Sequence, residues 1–129
     1  MSHVSMEPIE NIRNLSRKIN KNLLNELVTL YSKTTPQIVE DMKSHLENES
    51  FQDLGMIAHS LKSSSANLGL VTIAEHAKAI EMHILNNQVV NKNLLEKEIQ
   101  SIIDAYDDSL SELNTVANGF SKEFLPMDI

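Results

Sequence analysis

The chain has 129 residues, 41% of them hydrophobic, with a formal net charge of −7 and no cysteine. A chain of that length is expected to form one domain, 1–129, that buries roughly two thirds of its unfolded surface. The missing thiols exclude disulfides and thiolate metal sites, which fits a reducing compartment. Eleven unclustered basic residues and the absence of Trp argue against nucleic acid and favour a protein partner or a small anionic group held locally.

No apolar run approaches the ~20 residues of a membrane span, and no secretory signal pattern opens the chain. A cytoplasmic protein away from membranes is therefore expected.

The first five residues show no periodicity. From Glu7, Ile9, Ile12, Leu15 and Ile19 recur at helical steps. Asn20 is placed to cap a second helix from Lys21 to about Asn48, with Leu23, Leu24, Leu27, Leu30, Ile38, Met42 and Leu46 on one side. Pro36 interrupts it, and Thr35 before it should be pushed from the helical region, so a kink is expected there. Ser50 can cap a third helix from about Phe51 to Leu68, which Gly69 stops as a left-handed residue.

A fourth helix from about Thr72 to Asn86 carries Ile73, Ala77, Ile80 and Ile84 as its stripe. Asn91 or Asn93 can cap a fifth reaching about Ala117, with Leu95, Ile99, Ile102, Ile103, Tyr106, Leu110 and Leu113 inward. The tail 118–129, with Phe120, Phe124, Leu125 and Pro126, is not periodic. Nothing alternates with period two. Short loops between amphipathic helices favour antiparallel neighbours, so the expected fold is all-α: an up-down antiparallel four-helix bundle (about 7–117) with a short additional N-terminal helix.

The third helix carries one odd stretch, Ala58-His59-Ser60-Leu61-Lys62-Ser63-Ser64-Ser65-Ala66-Asn67-Leu68-Gly69-Leu70, with four serines where better helix formers would serve. At about 100° per residue, Leu54, Ile57, Ala58, Leu61, Ser65 and Leu68 share a core-facing sector. His59 lies about 150° from the middle of that sector, so it points to solvent.

Its helix-surface neighbours are Gly55 and Met56 before it and Lys62 and Ser63 after it, with Ala66 further along the same face. Small residues there leave the imidazole open to a bulky partner, and Met56 could join a docking patch. An exposed imidazole is substantially neutral at cell pH and so offers a lone pair. Lys62 can supply a cation and Ser63 a hydroxyl to a phosphoryl group carrying about two negative charges. No base or oxyanion hole for hydrolysis is visible, which leaves a residue that accepts a phosphoryl group and passes it on.

The run from His59 to Gly69 resembles the signature of histidine-containing phosphotransfer (HPt) domains, roughly His-x-Leu-Lys-Gly-Ser-x-x-x-x-Gly. Leu30-Tyr31 with Pro36, and Ile80-Glu81, resemble further parts of the family pattern, over about Ile9 to Leu113. One departure is Ser63, where the family often has Gly; an altered rate or partner choice is expected from it.

The resemblance implies that His59 is phosphorylated by exchange with an aspartyl phosphate on a response-regulator receiver domain, and that Lys62 helps hold the phosphoryl group. It implies partnership with receiver domains and a hybrid sensor histidine kinase. It also implies no cofactor of this chain's own, since magnesium belongs to the receiver, and a phosphotransfer intermediate rather than an independent enzyme. A monomer is expected.

The alternative is a four-helix adaptor that binds a partner without phosphotransfer; its mark would be a missing His or Lys, and both are present. No metal site is expected. His76 and His83 are seven apart with no ligand between them, His45 and His3 have no constellation, and no Glu-x-x-His pair supports a di-iron centre.

Overall fold

The computed structural model describes residues 2–121. Five helices fill most of that span: α1 (Met6–Ile19), α2 (Leu23–Glu47), α3 (Phe51–Asn67), α4 (Val71–Asn86) and α5 (Lys92–Ser121). Among the described residues there is no strand, only one isolated antiparallel bridge between Val4 and Leu70. The described part of the chain is all-helical. α2 packs on α3, α3 on α4, α4 on α5 and α5 back on α2, while α1 lies against α2 and α3.

The space they enclose is filled by Leu24, Met42, Leu54, Leu61, Ile73, Ile80, Leu95, Ile102 and Leu113, all fully buried. Each such side chain contributes about 1.5–3 kcal/mol over leaving it in water.

The helix ends differ from the sequence expectation where capping decides them. Asn20 does not start α2: it sits at φ 52° and ends α1, its N–H bonded to the Arg17 carbonyl. Asn22 caps α2 instead, its Oδ1 accepting from the Asn25 N–H at 3.1 Å. Ser50 holds the cap position of α3 without a side-chain bond; only its carbonyl accepts, from the Leu54 N–H. Asn91 caps α5, accepting from the Leu94 N–H at 3.2 Å. α2 runs through Pro36 as one helix, with Thr35 buried rather than displaced from helical geometry. α5 continues past Ala117 to Ser121, so the expected tail from Asn118 begins as helix; Phe124, Leu125 and Pro126 lie outside the described residues.

The inward faces of α1 and α2 are also corrected. The buried positions of α2 are Leu24, Val28, Tyr31, Thr35, Val39, Met42 and Leu46, an unbroken series of three- and four-residue steps. Leu27 and Leu30 lie just off that series and are 38% and 58% exposed. On α1, Ile9 and Ser16 are buried, while Leu15 and Ile19 are half exposed. Ser16 is accommodated because its hydroxyl donates to the Ile12 carbonyl and accepts the Leu23 N–H, joining α1 to the first turn of α2.

The turn after α3 joins the phosphoacceptor candidate's helix to the rest of the fold. The Gly69 N–H donates to the Ala66 carbonyl and the Leu70 N–H to the Ser65 carbonyl, a Schellman closure with Gly69 at φ +72°. The N-terminal segment, expected to be irregular, is tied onto this turn. Val4 is buried, the Ser5 N–H donates to the Gly69 carbonyl, and the Val71 N–H donates to the His3 carbonyl. His3 has partners after all, its Nδ1 lying 2.7 Å from the Thr72 hydroxyl. Ser2 and the His3 N–H both bond the Glu112 carboxylate, fastening the segment to α5 as well.

A Cβ at Gly69 would strike the Ser5 carbonyl oxygen. Gly69→Ala is therefore expected to lower the unfolding free energy by about 2 kcal/mol or more, from left-handed strain plus that collision, as measured by urea denaturation. An effect within experimental error would contradict this account of the turn.

Candidate functional site

α3 and α4 meet along a groove in which His59 stands. Its side chain is 59% exposed, as the angular reading of α3 requires. The ring leans across the groove so that Nδ1 hydrogen-bonds Glu81 Oε2 on α4. Lys62, one turn along α3, donates from Nζ to Glu81 Oε1 at 2.6 Å. One carboxylate, its side chain only 12% exposed, thus holds both candidate residues of α3.

Lys62 is not the free cation expected from the sequence; in this structure its charge is paired with Glu81. A carboxylate within reach of the imidazole, which the sequence did not reveal, is present. Its signal was weak: Glu81 follows Ile80 at the edge of the apolar stripe of α4, and an acidic residue there reads as a boundary residue until the facing helix is known.

The electrostatics fix the protonation pattern. Glu81 is held below the usual carboxylate range, chiefly by the Lys62 hydrogen bond, with burial opposing and His59 adding to the lowering. Glu81 is therefore ionised and can only accept hydrogen bonds. The proton between it and His59 consequently sits on Nδ1, and in the neutral ring Nε2 carries the lone pair.

Around the imidazole the remaining candidate residues fall as follows. The groove beside it, about 460 Å³, is walled by Met56, Gly55, Ile84 and Leu85, with Met56 and Leu85 63% and 70% exposed. Gly55 is half-buried, and a Cβ there would rest 3.5 Å from Ile84 Cγ2, an ordinary contact, so close helix approach does not require the glycine. Ser63 is exposed, and its hydroxyl has no partner among the described residues. Ala66 is exposed two turns beyond His59 and lines a separate depression with Ile12 and Leu15 of α1. Gly69 ends the helix.

Ser65, the one serine of the odd stretch on the core side, bonds the Tyr31 hydroxyl at 2.7 Å. Burial pushes the Tyr31 phenol up to about 12, against the lowering effect of Ser65 and Thr35. This buried pair seats α3 on α2 directly behind the His59 face.

An internal comparison shows what sets His59 apart. His76 Nδ1 lies 2.7 Å from Glu98 Oε2, an imidazole–carboxylate pair of the same kind between α4 and α5. That ring is 32% exposed, and among the described residues no lysine pairs with its carboxylate. His83 is taken up by the α4–α5 loop, its Nε2 accepting the Asn91 N–H at 2.9 Å. Among the described residues no group of three or more potential ligands gathers to hold a metal.

A family model described as Hpt domain matches residues 26–115, from the first turn of α2 well into α5. The chain belongs to the Hpt domain family. The match takes in His59, Lys62 and Glu81 and leaves α1 outside it. Hpt domains serve histidine phosphorylation in two-component phosphorelays, and this chain is of that class. No curated protein and no solved structure matches it. Among the described residues no helix is long and apolar enough to cross a membrane.

Two outcomes are expected from these contacts. Because the Glu81 carboxyl is depressed in the folded protein, its contribution to stability is present above the unfolded carboxyl value and is lost as pH falls through the folded one. Glu81→Gln should therefore flatten the acid side of the stability-versus-pH curve, read by thermal melts from neutral pH into the acid range. An unchanged acid slope would contradict the pairing.

For the buried pair, Tyr31→Phe and Ser65→Ala should each destabilise by about 1–2 kcal/mol, and the double variant should lose clearly less than their sum. Strict additivity in urea titrations would dissolve the link.

Proposed function

We propose that this Hpt protein is a phosphoryl carrier in which His59 Nε2 is the acceptor. The observation that carries the reading is the Glu81 bridge: it leaves the exposed ring with its proton on Nδ1 and its lone pair on Nε2. In the forward step the Nε2 lone pair attacks the phosphorus of an aspartyl phosphate on a receiver domain. The phosphorus–oxygen bond to that carboxylate breaks, its electrons leave with the aspartate, and a nitrogen–phosphorus bond forms. The ring becomes cationic with its proton still on Nδ1, and Glu81 stabilises that charge. In the return step a second receiver's aspartate attacks phosphorus and Nε2 leaves with its electron pair. No proton need be lost or gained.

Lys62 stands one turn from His59 on the same face, placed to lend its ammonium to a phosphoryl oxygen, and Ser63 to offer its hydroxyl. Gly55 keeps the groove beside the acceptor low and Ala66 leaves the surface beyond it uncrowded towards α1, while Met56 and Leu85 give an incoming receiver apolar surface beside the acceptor. The partners are receiver domains of response regulators and of a hybrid sensor histidine kinase. The magnesium ion and the catalytic acids belong to the receiver, so the chain acts as an intermediate without a catalytic apparatus of its own.

We further infer that the chain works as a monomeric cytoplasmic domain spanning 1–129, its four longer helices forming an up-down antiparallel bundle. That arrangement is supported by cross-helix pairs that descend one helix as they climb the next. Gly55 lies by Ile84 and Lys62 by Glu81, while His76 pairs with Glu98 and His83 with Asn91.

Incubation with a receiver domain carrying ³²P-aspartyl phosphate should label the protein, and His59→Gln should abolish the label. Label that persists in that variant would overturn the assignment. Lys62→Ala should slow transfer about tenfold or more, from loss of a charge-assisted hydrogen bond of about 1.5–3 kcal/mol, and should lower the melting temperature as well, because Glu81 Oε1 loses its partner. Unchanged transfer at a lowered melting temperature would leave Lys62 a structural residue only. Ser63→Leu, at an exposed position, should keep the melting temperature and slow transfer by crowding the imidazole; unchanged kinetics would count against the open-face account.

A further inference from the structure

Behind the acceptor helix, the core holds more hydroxyl groups than hydrogen bonds. Thr35 of α2 is 1% exposed and Ser109 of α5 is fully buried. Neither hydroxyl oxygen has a hydrogen-bond partner among the described residues. Both occupy core-facing positions, Thr35 in the middle of the buried series of α2 and Ser109 between the buried Ala105 and Leu113 on α5.

The packing of α2 on α5 sets the two residues at one level. Leu46 and Glu47 share a depression with Glu96 and Ile99, while Pro36 and Val39 share one with Tyr106 and Asp107. α5 therefore advances as α2 recedes, and the next step of that register brings Thr35 opposite Ser109. The side chains facing inward there are small, Ala105 and Ser109 from α5 and Ser65 from α3, so the level is not filled by a large apolar group.

The Tyr31–Ser65 pair stands beside them and is itself incompletely satisfied. One bond of 2.7 Å joins the two hydroxyls and uses one of their two hydrogens; the other has no acceptor in place among the described residues. The Thr35 hydroxyl lies close enough to lower the pKa of the Tyr31 phenol, yet makes no hydrogen bond to it. Leaving a buried hydroxyl unpaired weakens folding about tenfold, so this many open valences at one level call for a shared partner.

We propose that Thr35, Ser109 and the Tyr31–Ser65 pair hold one structural water molecule in the core. It bonds Thr35 Oγ1 and Ser109 Oγ and accepts the spare hydrogen of the pair, which gives the three bonds typical of a buried water. The water carries the Tyr31–Ser65 link on to α5, so α2, α3 and α5 are joined at one level behind the His59 face. The inference does not depend on the chemistry of His59 and stands or falls separately from it.

A high-resolution crystal structure of the full chain should show one water within about 2.7–3.2 Å of both Thr35 Oγ1 and Ser109 Oγ. Thr35→Val, nearly isosteric, supplies the thermodynamic arm. With the water in place it should lower the folding equilibrium constant about tenfold in urea titrations, because the bridge loses an anchor. In a dry core the same change removes an unpaired hydroxyl and should raise that constant instead. Ser109→Ala should also lower it, against the better helix propensity of Ala. The double variant should lose clearly less than the product of the two factors, since both act on one water. Thr35→Ser keeps the hydroxyl and should keep the water.

Stabilisation by either single variant would overturn the proposal, and so would losses that multiply independently. A structure in which each hydroxyl turns to a carbonyl of its own helix, or in which water touches only one of the two, would overturn it as well.

Discussion

A single buried carboxylate organises the working face of this protein. Glu81 projects from α4 into the α3–α4 seam, 9% exposed, where an unpaired charge would cost several kcal/mol. It is tolerated because each oxygen has a partner on the facing helix: Lys62 Nζ on one and His59 Nδ1 on the other. Those two residues are one turn apart, so the carboxylate gauges the register of α3 against α4 as well as the orientation of the ring. The pairing that makes the charge affordable also decides which imidazole nitrogen is free.

The face is kept in place from behind and from below. Behind it, the Tyr31–Ser65 bond ties α3 to α2 through the core. Below it, the Gly69 closure ends α3 against the N-terminal segment, whose Val4 completes the core at that end. Neither contact touches the imidazole. Both resist rotation or slippage of α3, and either movement would swing His59 away from Glu81. The serines of the odd stretch thus divide by angle: Ser65 is a buried link, and Ser63 is part of the open surface beside His59.

His59 and Lys62 were legible because their information is local: they sit off an apolar stripe whose phase α3 declares by itself. Glu81 was not legible as a site residue, although Ile80-Glu81 stood out, because its role depends on which helix faces it. α2 shows the complementary failure. Its leucines at 27 and 30 suggested an inward face, whereas burial follows the 24-28-31-35-39-42-46 series, which includes the polar Tyr31 and Thr35. The Tyr31 hydroxyl is accommodated because Ser65 supplies a partner from another helix, which no pattern within α2 encodes. The misplaced cap had the same origin, since Asn20 and Asn22 are both good capping residues and only the backbone conformation at Asn20, φ 52°, assigns it to the end of α1. In the N-terminal segment nothing is periodic, and its order comes from bonds to Gly69, Val71 and Glu112 that no local pattern encodes.

The central claim is that Glu81 holds His59 with its proton on Nδ1 and its lone pair on Nε2. Long-range ¹H–¹⁵N NMR correlation of the His59 ring reads both nitrogens directly, before and after phosphorylation. The account predicts an Nδ1–H tautomer in the resting protein and a nitrogen–phosphorus bond at Nε2 afterwards. A resting ring protonated on Nε2, or a phosphoryl group on Nδ1, would contradict it.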